Sequence, residues 1–237
     1  MGTSLDFSWL ADPVYQRWLL EGLGNTITLA ALSSVMAVAI GVVGAFLLLV
    51  GGPGVRGVVR FYIELFRNTP PVLQMLFLYF TLTSIGVTIT DPKTGSQVPL
   101  LSAYACALVS LSLFGGALAI EAFRSGLEAV PAATIEAGRS LGYTRAALFR
   151  RVQLPIAARI CLPSLTNILT NLFKTTSQAS IITVPELLYY AGQIYTENFR
   201  TLEVMLLVLM LYVSLVTVLA AAMGRVERAL AFPGYGG

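Results

Sequence analysis

The chain has 237 residues, of which 56% are hydrophobic and 11% charged, with a mean hydropathy of +0.78 and a formal net charge of +3. These values exclude an ordinary soluble domain of this size and place the chain in a lipid bilayer, and so small a net charge does not argue for nucleic acid as a partner. The absence of histidine excludes Ser/His/Asp and Cys/His nucleophilic catalysis, His-ligated zinc and imidazole pH switching.

Five stretches are apolar enough to cross a hydrocarbon core of about 30 Å, which takes roughly 20 helical residues. The first runs from about Asn25 to Val50, after an outer segment 1–24 that carries Asp6, Asp12 and Glu21 against one Arg17. That is the wrong charge for the start of a cleavable signal peptide, so the first span is expected in the mature protein. The second runs from about Pro71 to Ile89 and is a minimal crossing, because Pro70-Pro71 breaks any helix continuing from Phe61. Arg60 to Phe66 then reads as an interfacial helix or a kinked first turn, with Glu64 and Arg67 spaced for a local ion pair. Thr69 and Gln74 flank the break, where unwound backbone can contribute to a substrate site or form a simple kink.

The third span runs from about Leu101 to Phe123. Its Ser110, Ser112, Gly115, Gly116 and Ala117 offer a small-residue face for close helix packing. Cys106 in this span and Cys161 at the start of the next read as small packing residues rather than a disulfide.

A polar insert follows, at about 124–162. Pro131 suits the first position of a helix, Ala132 to Leu141 continue it, and Gly142 stops it with a left-handed cap. Thr144 caps a second helix through Leu148 and Val152, which Pro155 is expected to limit. Two short helices at an angle, held by a glycine corner, make an exposed mechanical knob. Ala137 and Gly138 keep one side slim, and Glu136 and Arg139 offer charged contacts. The alternative is an amphipathic loop helix lying on the headgroups, with Arg145, Arg150 and Arg151 touching lipid phosphate.

The fourth span runs from about Pro163 to Ile182 and the fifth from about Leu202 to Met223, ahead of a tail at 229–237. Lys174 sits roughly 16 Å into the fourth span at 1.5 Å per residue, an expensive place for a cation unless it is paired or hydrated. Ser164, Asn167, Asn171, Lys174 and Gln178 follow spacings of three and four, so they form one polar stripe. The stripe either lines a water-filled path, or bonds across a dimer seam with Lys174 paired to Glu121 or a carbonyl.

Basic residues are retained on the cytoplasmic side of a membrane. With the N-terminus outside, the inner segments hold eleven of the fifteen basic residues: Arg56, Arg60, Arg67, Arg124, Arg139, Arg145, Arg150, Arg151, Arg159, Arg225 and Arg228. The outer segments hold Arg17, Lys93 and Arg200 among Asp6, Asp12, Glu21, Asp91, Glu186, Glu197 and Glu203. The expected orientation is N-terminus out and C-terminus cytoplasmic. One membrane domain, 25–228, is expected; an odd number of spans does not divide into two inverted halves, so a second copy or a related chain is needed to complete a pathway.

The insert resembles the EAA motif of ATP-binding-cassette importer permeases: Glu-Ala-Ala, three residues, Gly, nine residues, Ile-x-Leu-Pro. Glu136, Ala137, Gly142, Leu154 and Pro155 match it, with Gly138 in place of the third motif residue and Val152 in place of the isoleucine. Gly24-Asn25-Thr26, Glu64 to Pro70, Glu121 to Gly126 and Val184 to Leu187 are similar to the polar amino acid branch of these permeases, the histidine and glutamine type. Asn68 and Ser125 stand where glycine is usual, and Thr175 where many relatives carry an acid beside the lysine.

The resemblance implies an all-α integral membrane fold of about five spans with a cytoplasmic coupling loop, the type I importer permease fold. It implies a bacterial inner-membrane subunit that moves a polar amino acid delivered by an extracytoplasmic solute-binding protein. Glu136 to Gly142, with Leu154 and Pro155, would couple to two ATPase subunits, which hold the ATP and Mg; no cofactor is expected in this chain, and it has no phosphate loop ending in Gly-Lys-Ser or Gly-Lys-Thr. Thr69, Gln74, Asn167, Asn171, Lys174 and Gln178 are the candidate path residues. Tyr189, Tyr190 and Tyr195 with Glu186 and Glu197 read as an outer loop that receives the binding protein or anchors in the headgroups. The rival readings are a secondary transporter or channel subunit working without ATP, a purely structural membrane subunit, and an importer permease for another small solute.

Overall fold

A computed structural model describes residues 5–86, 88–90 and 97–230. Its helices are α1 Pro13–Val50, α2 Pro53–Asn68, α3 Pro71–Ser84, α4 Ala103–Glu128, α5 Ala132–Ser140, α6 Arg145–Leu148, α7 Leu154–Ile160, α8 Leu162–Thr175, α9 Leu187–Asn198 and α10 Thr201–Leu230. Strands β1 Thr88–Thr90 and β2 Gln97–Pro99 form a small antiparallel hairpin with Ile89 opposite Val98. Asp91 and Lys93, which enter the outer charge balance, lie outside the described residues, as do 231–237 of the tail.

Three helices, α1, α4 and α10, are each long and apolar enough to cross a bilayer, and the bent pair Arg145–Ile160 and Leu162–Ile182, 64° apart, makes a fourth candidate. The expected span from Pro71 to Ile89 is shorter than the sequence implies. Helix α3 stops at Ser84, the chain turns through Gly86 at φ +70°, and Thr88 begins β1. Fourteen residues of helix reach about 21 Å, less than a full core.

Helix α1 begins at Pro13 and not near Asn25, because Asp12 Oδ1 accepts the Val14 N–H at 2.8 Å and Pro13 is preorganised for a first turn. Helix α2 is separate from α3, as the proline break requires, but no Glu64–Arg67 pair forms among the described residues. The pairs on the polar side of α4 are Arg124 with Glu121 at 3.0 Å and with Glu128 at 2.7 Å.

The chain divides into two compact units. One comprises residues up to Ser33, Pro70–Leu111 and Leu172–Thr217. Its cores are Leu29, Met75, Cys106, Ala107, Leu111, Ala179, Ile182 and Val184, and a second cluster of Trp9, Leu187, Ala191, Ile194, Val204 and Val208. The other comprises Ser34–Thr69, Ser112–Asn171 and Val218 onward, with a core around Ala45, Ala119, Phe123, Phe149, Ala157 and Leu165. The small residues of α4 pack closely, as their type predicts. A Cβ on Gly116 would lie 2.6 Å from Ile40 Cγ2, and one on Gly41 2.6 Å from Ala119 Cβ. Cys106 and Cys161 are buried and unpaired.

Candidate functional site

The motif residues of the insert form a helix, a corner and a second helix. Helix α5 carries Glu136, Ala137, Gly138 and Arg139 and ends at Leu141. Gly142 follows at φ +78°, in the left-handed region where a side chain costs about 1–2 kcal/mol. Its N–H bonds to the Arg139 carbonyl at 2.9 Å and that of Tyr143 to the Gly138 carbonyl at 3.2 Å, the two bonds of a Schellman cap. Thr144 then starts α6 by accepting the Ala147 N–H on its hydroxyl at 3.3 Å, a cap worth about 1 kcal/mol.

Gly138 is buried while Glu136, Ala137, Arg139 and Gly142 are exposed. A Cβ on Gly138 would collide with Leu148 Cδ1, so the departure from alanine at this position admits the α6 leucine against α5. Gly138 thus faces α6 and does not share the exposed side with Ala137, so the slim face expected of the pair is not formed, and the exposed side carries Ala137 with Glu136 and Arg139.

Pro155 does not end the second helix. Phe149–Gln153 widen into a π-turn, with the Leu154 N–H bonding to the Phe149 carbonyl, and α7 continues through Pro155. The wider turn accommodates a proline that lacks an N–H and would otherwise press on the carbonyl four residues back. Leu154 is half-buried and Pro155 exposed.

The polar stripe is present on α8 and then broken. Ser164, Asn167, Asn171 and Lys174 lie on one helical face and are exposed on the chain by itself. Beyond Thr175 the backbone tightens into a 3₁₀-helix over Thr176–Ile182. The hydroxyls of Thr176, Ser177 and Ser180 each donate to the carbonyl three residues back, at 2.7, 2.9 and 2.7 Å, which favours the tighter winding. Gln178 therefore rotates off the stripe and is half-buried, with its Oε1 buried and without a hydrogen-bond partner. Among the described residues Lys174 has no ion pair, and Glu121 is held by Arg124. Thr69 closes the end of α2 by donating its hydroxyl to the Leu65 carbonyl at 2.7 Å, and Gln74 lies half-buried in the first turn of α3.

One site residue escapes sequence reasoning. Glu186, expected in an outer loop, is fully buried and starts a helix, α9. Its carboxylate accepts the Tyr189 N–H at 2.7 Å and the Tyr212 hydroxyl at 2.7 Å. Beside it the Leu187 N–H donates to Thr26 Oγ1 at 3.1 Å, and Asn25 Nδ2 donates to the Pro185 carbonyl at 2.7 Å. The segments Gly24 to Thr26 and Val184 to Leu187, each similar on its own to one permease branch, are thus bonded to each other. The residue-type signal was Pro185-Glu186 ahead of an apolar run, which is a helix-start pattern.

Comparison with known proteins bears on the family and the fold. The family model described as binding-protein-dependent transport system inner membrane component matches residues 37–232. The octopine transport system permease protein OccM of Rhizobium radiobacter is 36% identical over 203 residues, 81% of this chain and 79% of its own. The glutamine transport system permease protein GlnP of Escherichia coli K12 is 30% identical over 94% of this chain and 98% of its own. Among solved structures, a chain of an amino acid ABC transporter crystallised with histidines superposes with a TM-score of 0.80 at 26% identity, covering 96% of this chain and all of that one. A chain of the MetNI methionine ABC transporter gives 0.75 at 23% identity, over 93% of this chain and all of its own, a likeness of fold.

Proposed function

The chain belongs to the binding-protein-dependent transport system inner membrane components, the permease subunits of ATP-driven importers, and on that premise we propose how it imports a polar amino acid. The relatives that transport octopine and glutamine support the substrate class. It is a multi-pass inner-membrane protein, and the charge balance of its loops supports an outer N-terminus and a cytoplasmic C-terminus.

Glu136, Ala137, Arg139 and the Gly142 corner form the contact to an ATPase subunit, and Leu154 and Pro155 carry the movement through the π-turn into α7 and α8. The chain supplies no phosphate loop, so ATP and Mg belong to two partner ATPase subunits. A second permease, the same chain or a related one, completes the path, and an external solute-binding protein delivers substrate.

The observation that carries the substrate path is the exposed polar face of α8. A charged lysine and two amides cannot face hydrocarbon without large cost, so they face water, a partner chain or substrate. Asn167 and Asn171 can bond both the amino and the carboxylate group of an amino acid, and Lys174 faces the carboxylate. Ser164 extends the face. Thr69, Gln74 and Gln178 remain candidate polar contributors to substrate binding by their residue type.

The test is uptake by Lys174→Ala and Asn171→Ala in assembled complexes. Loss of a hydrogen bond to a charged group predicts a fall in apparent affinity of about 10- to 100-fold, with ATPase association intact. Unchanged kinetics and unchanged substrate preference would make the stripe a packing feature.

A further inference from the structure

Beside the glycine corner, within one compact unit, lies a cavity of about 270 Å³. Its polar lining is Arg56 from α2, Arg139 from the last turn of α5, Arg145 from the start of α6, Tyr143 and Gln153, and its apolar wall includes Leu49 and Val50 from the end of α1. No carboxylate lines it. Among the described residues Arg139 and Arg145 form no ion pair, and Arg56 donates only to the Leu49 carbonyl, at 3.3 Å. A neighbouring cavity that shares Arg56 differs in kind, because Glu121 and Glu128 line it, both paired with Arg124. Three guanidinium groups around a partly open space with no carboxylate in its lining, several times the roughly 30 Å³ share of one water, form an anion receptor.

We infer that this cavity holds the phosphate of an anionic membrane lipid and so ties the coupling corner to the headgroup layer. The depth of the site decides the source of the anion. Residues 22 to 55 contain no charged side chain, and Arg56 is the first charge after the apolar run of α1. A span of this kind ends where lipid phosphates lie, and the first arginine beyond it sits at their level. Leu49 and Val50 give the glycerol and upper acyl chain a dry wall, and the guanidinium forks take the phosphate oxygens in pairs. Arg139 and Arg145 stand on either side of Gly142, so the bound lipid bridges the end of a membrane span to both helices of the corner. Lipid charge thereby sets how firmly the corner is held against the membrane. The regulatory consequence rests on the permease reading, whereas the lipid site does not.

The experiment uses the full complex, wild type and R56Q/R145Q, reconstituted in nanodiscs of phosphatidylcholine with phosphatidylglycerol. Native mass spectrometry after release reads the lipids that remain bound. Retention of one more phosphatidylglycerol per permease chain by wild type than by R56Q/R145Q, with R56K/R145K intermediate, is the expected result. ATP hydrolysis stimulated by loaded binding protein should then rise severalfold with phosphatidylglycerol in wild type and stay flat in R56Q/R145Q. Equal lipid retention by wild type and variant overturns the site, as does retention of phosphatidylcholine in its place. Displacement of the lipid by millimolar inorganic phosphate assigns the cavity to a soluble anion and overturns the lipid. Loss of the ATPase subunit with lipid retention intact assigns it to an acidic protein side chain. Lipid retention is read on the permease itself, so it stands or falls whether or not an ATPase accompanies the chain.

Discussion

Glu186 shows how far one residue's role depends on partners distant in sequence. Its carboxylate caps α9 and receives the Tyr212 hydroxyl from α10 while fully buried. Glu186→Ala removes the cap, at about 1 kcal/mol, and leaves the Tyr212 hydroxyl without its acceptor, at about 1–3 kcal/mol more. Thermal unfolding of the detergent-solubilised protein should show a clear loss of stability for Glu186→Ala and a smaller one for Glu186→Gln, which keeps an acceptor. A Glu186→Ala protein as stable as wild type would contradict the bonding described. The acid was readable as a helix start, but its burial was not, because Tyr212 and Thr26 are 26 and 160 residues away. Gly142 was legible for the opposite reason. A glycine between two helical patterns with a threonine two residues on is a local signal, and φ +78° answers it.

At the level of elements, the insert at 124–162 follows its punctuation through Gly142 and Thr144, with Pro131 just before the first helix rather than at its first position, and departs from it at Pro155. Proline ends most helices, but a π-turn over Phe149–Gln153 carries this one past it, and no residue type announces a π-turn in advance. The α8 stripe failed in the same way at Gln178. Periodicity assumes 100° per residue, and the serine and threonine hydroxyls that bond back to the backbone switch the winding to 3₁₀. Gly142→Asp tests the corner: a charged residue is forced into the left-handed region at the exposed tip, so ATP-driven uptake should fall by an order of magnitude or more while the chain still inserts. Gly142→Asn should retain more activity, because it meets the same backbone demand as aspartate without the charge. Wild-type uptake by Gly142→Asp would remove the corner from the coupling path.

Across the whole chain, the membrane class and the long spans were legible because apolar length is a cumulative signal that a few wrong residues do not erase. The short second span was not: Pro71 to Ile89 is apolar throughout, yet α3 ends at Ser84 where the chain turns toward β1. Nor was the extent of α9, whose tyrosines and acids read as a loop despite the helix-start signal at Pro185-Glu186. The exposed polar face of α8 and the weakly buried α10, with 11% of its apolar window buried, leave a surface suited to lipid on one part and to other subunits on another. The claim that this chain is one part of an ATP-driven importer is tested most directly by purifying the tagged protein from its native cell in mild detergent. The proteins that accompany it are then identified with their stoichiometry. The account predicts two ATPase subunits for two permease chains, either two copies of this one or this one with a related partner. Repeated recovery of the intact chain with no ATPase would contradict it and move the weight to a transporter or channel that works without nucleotide.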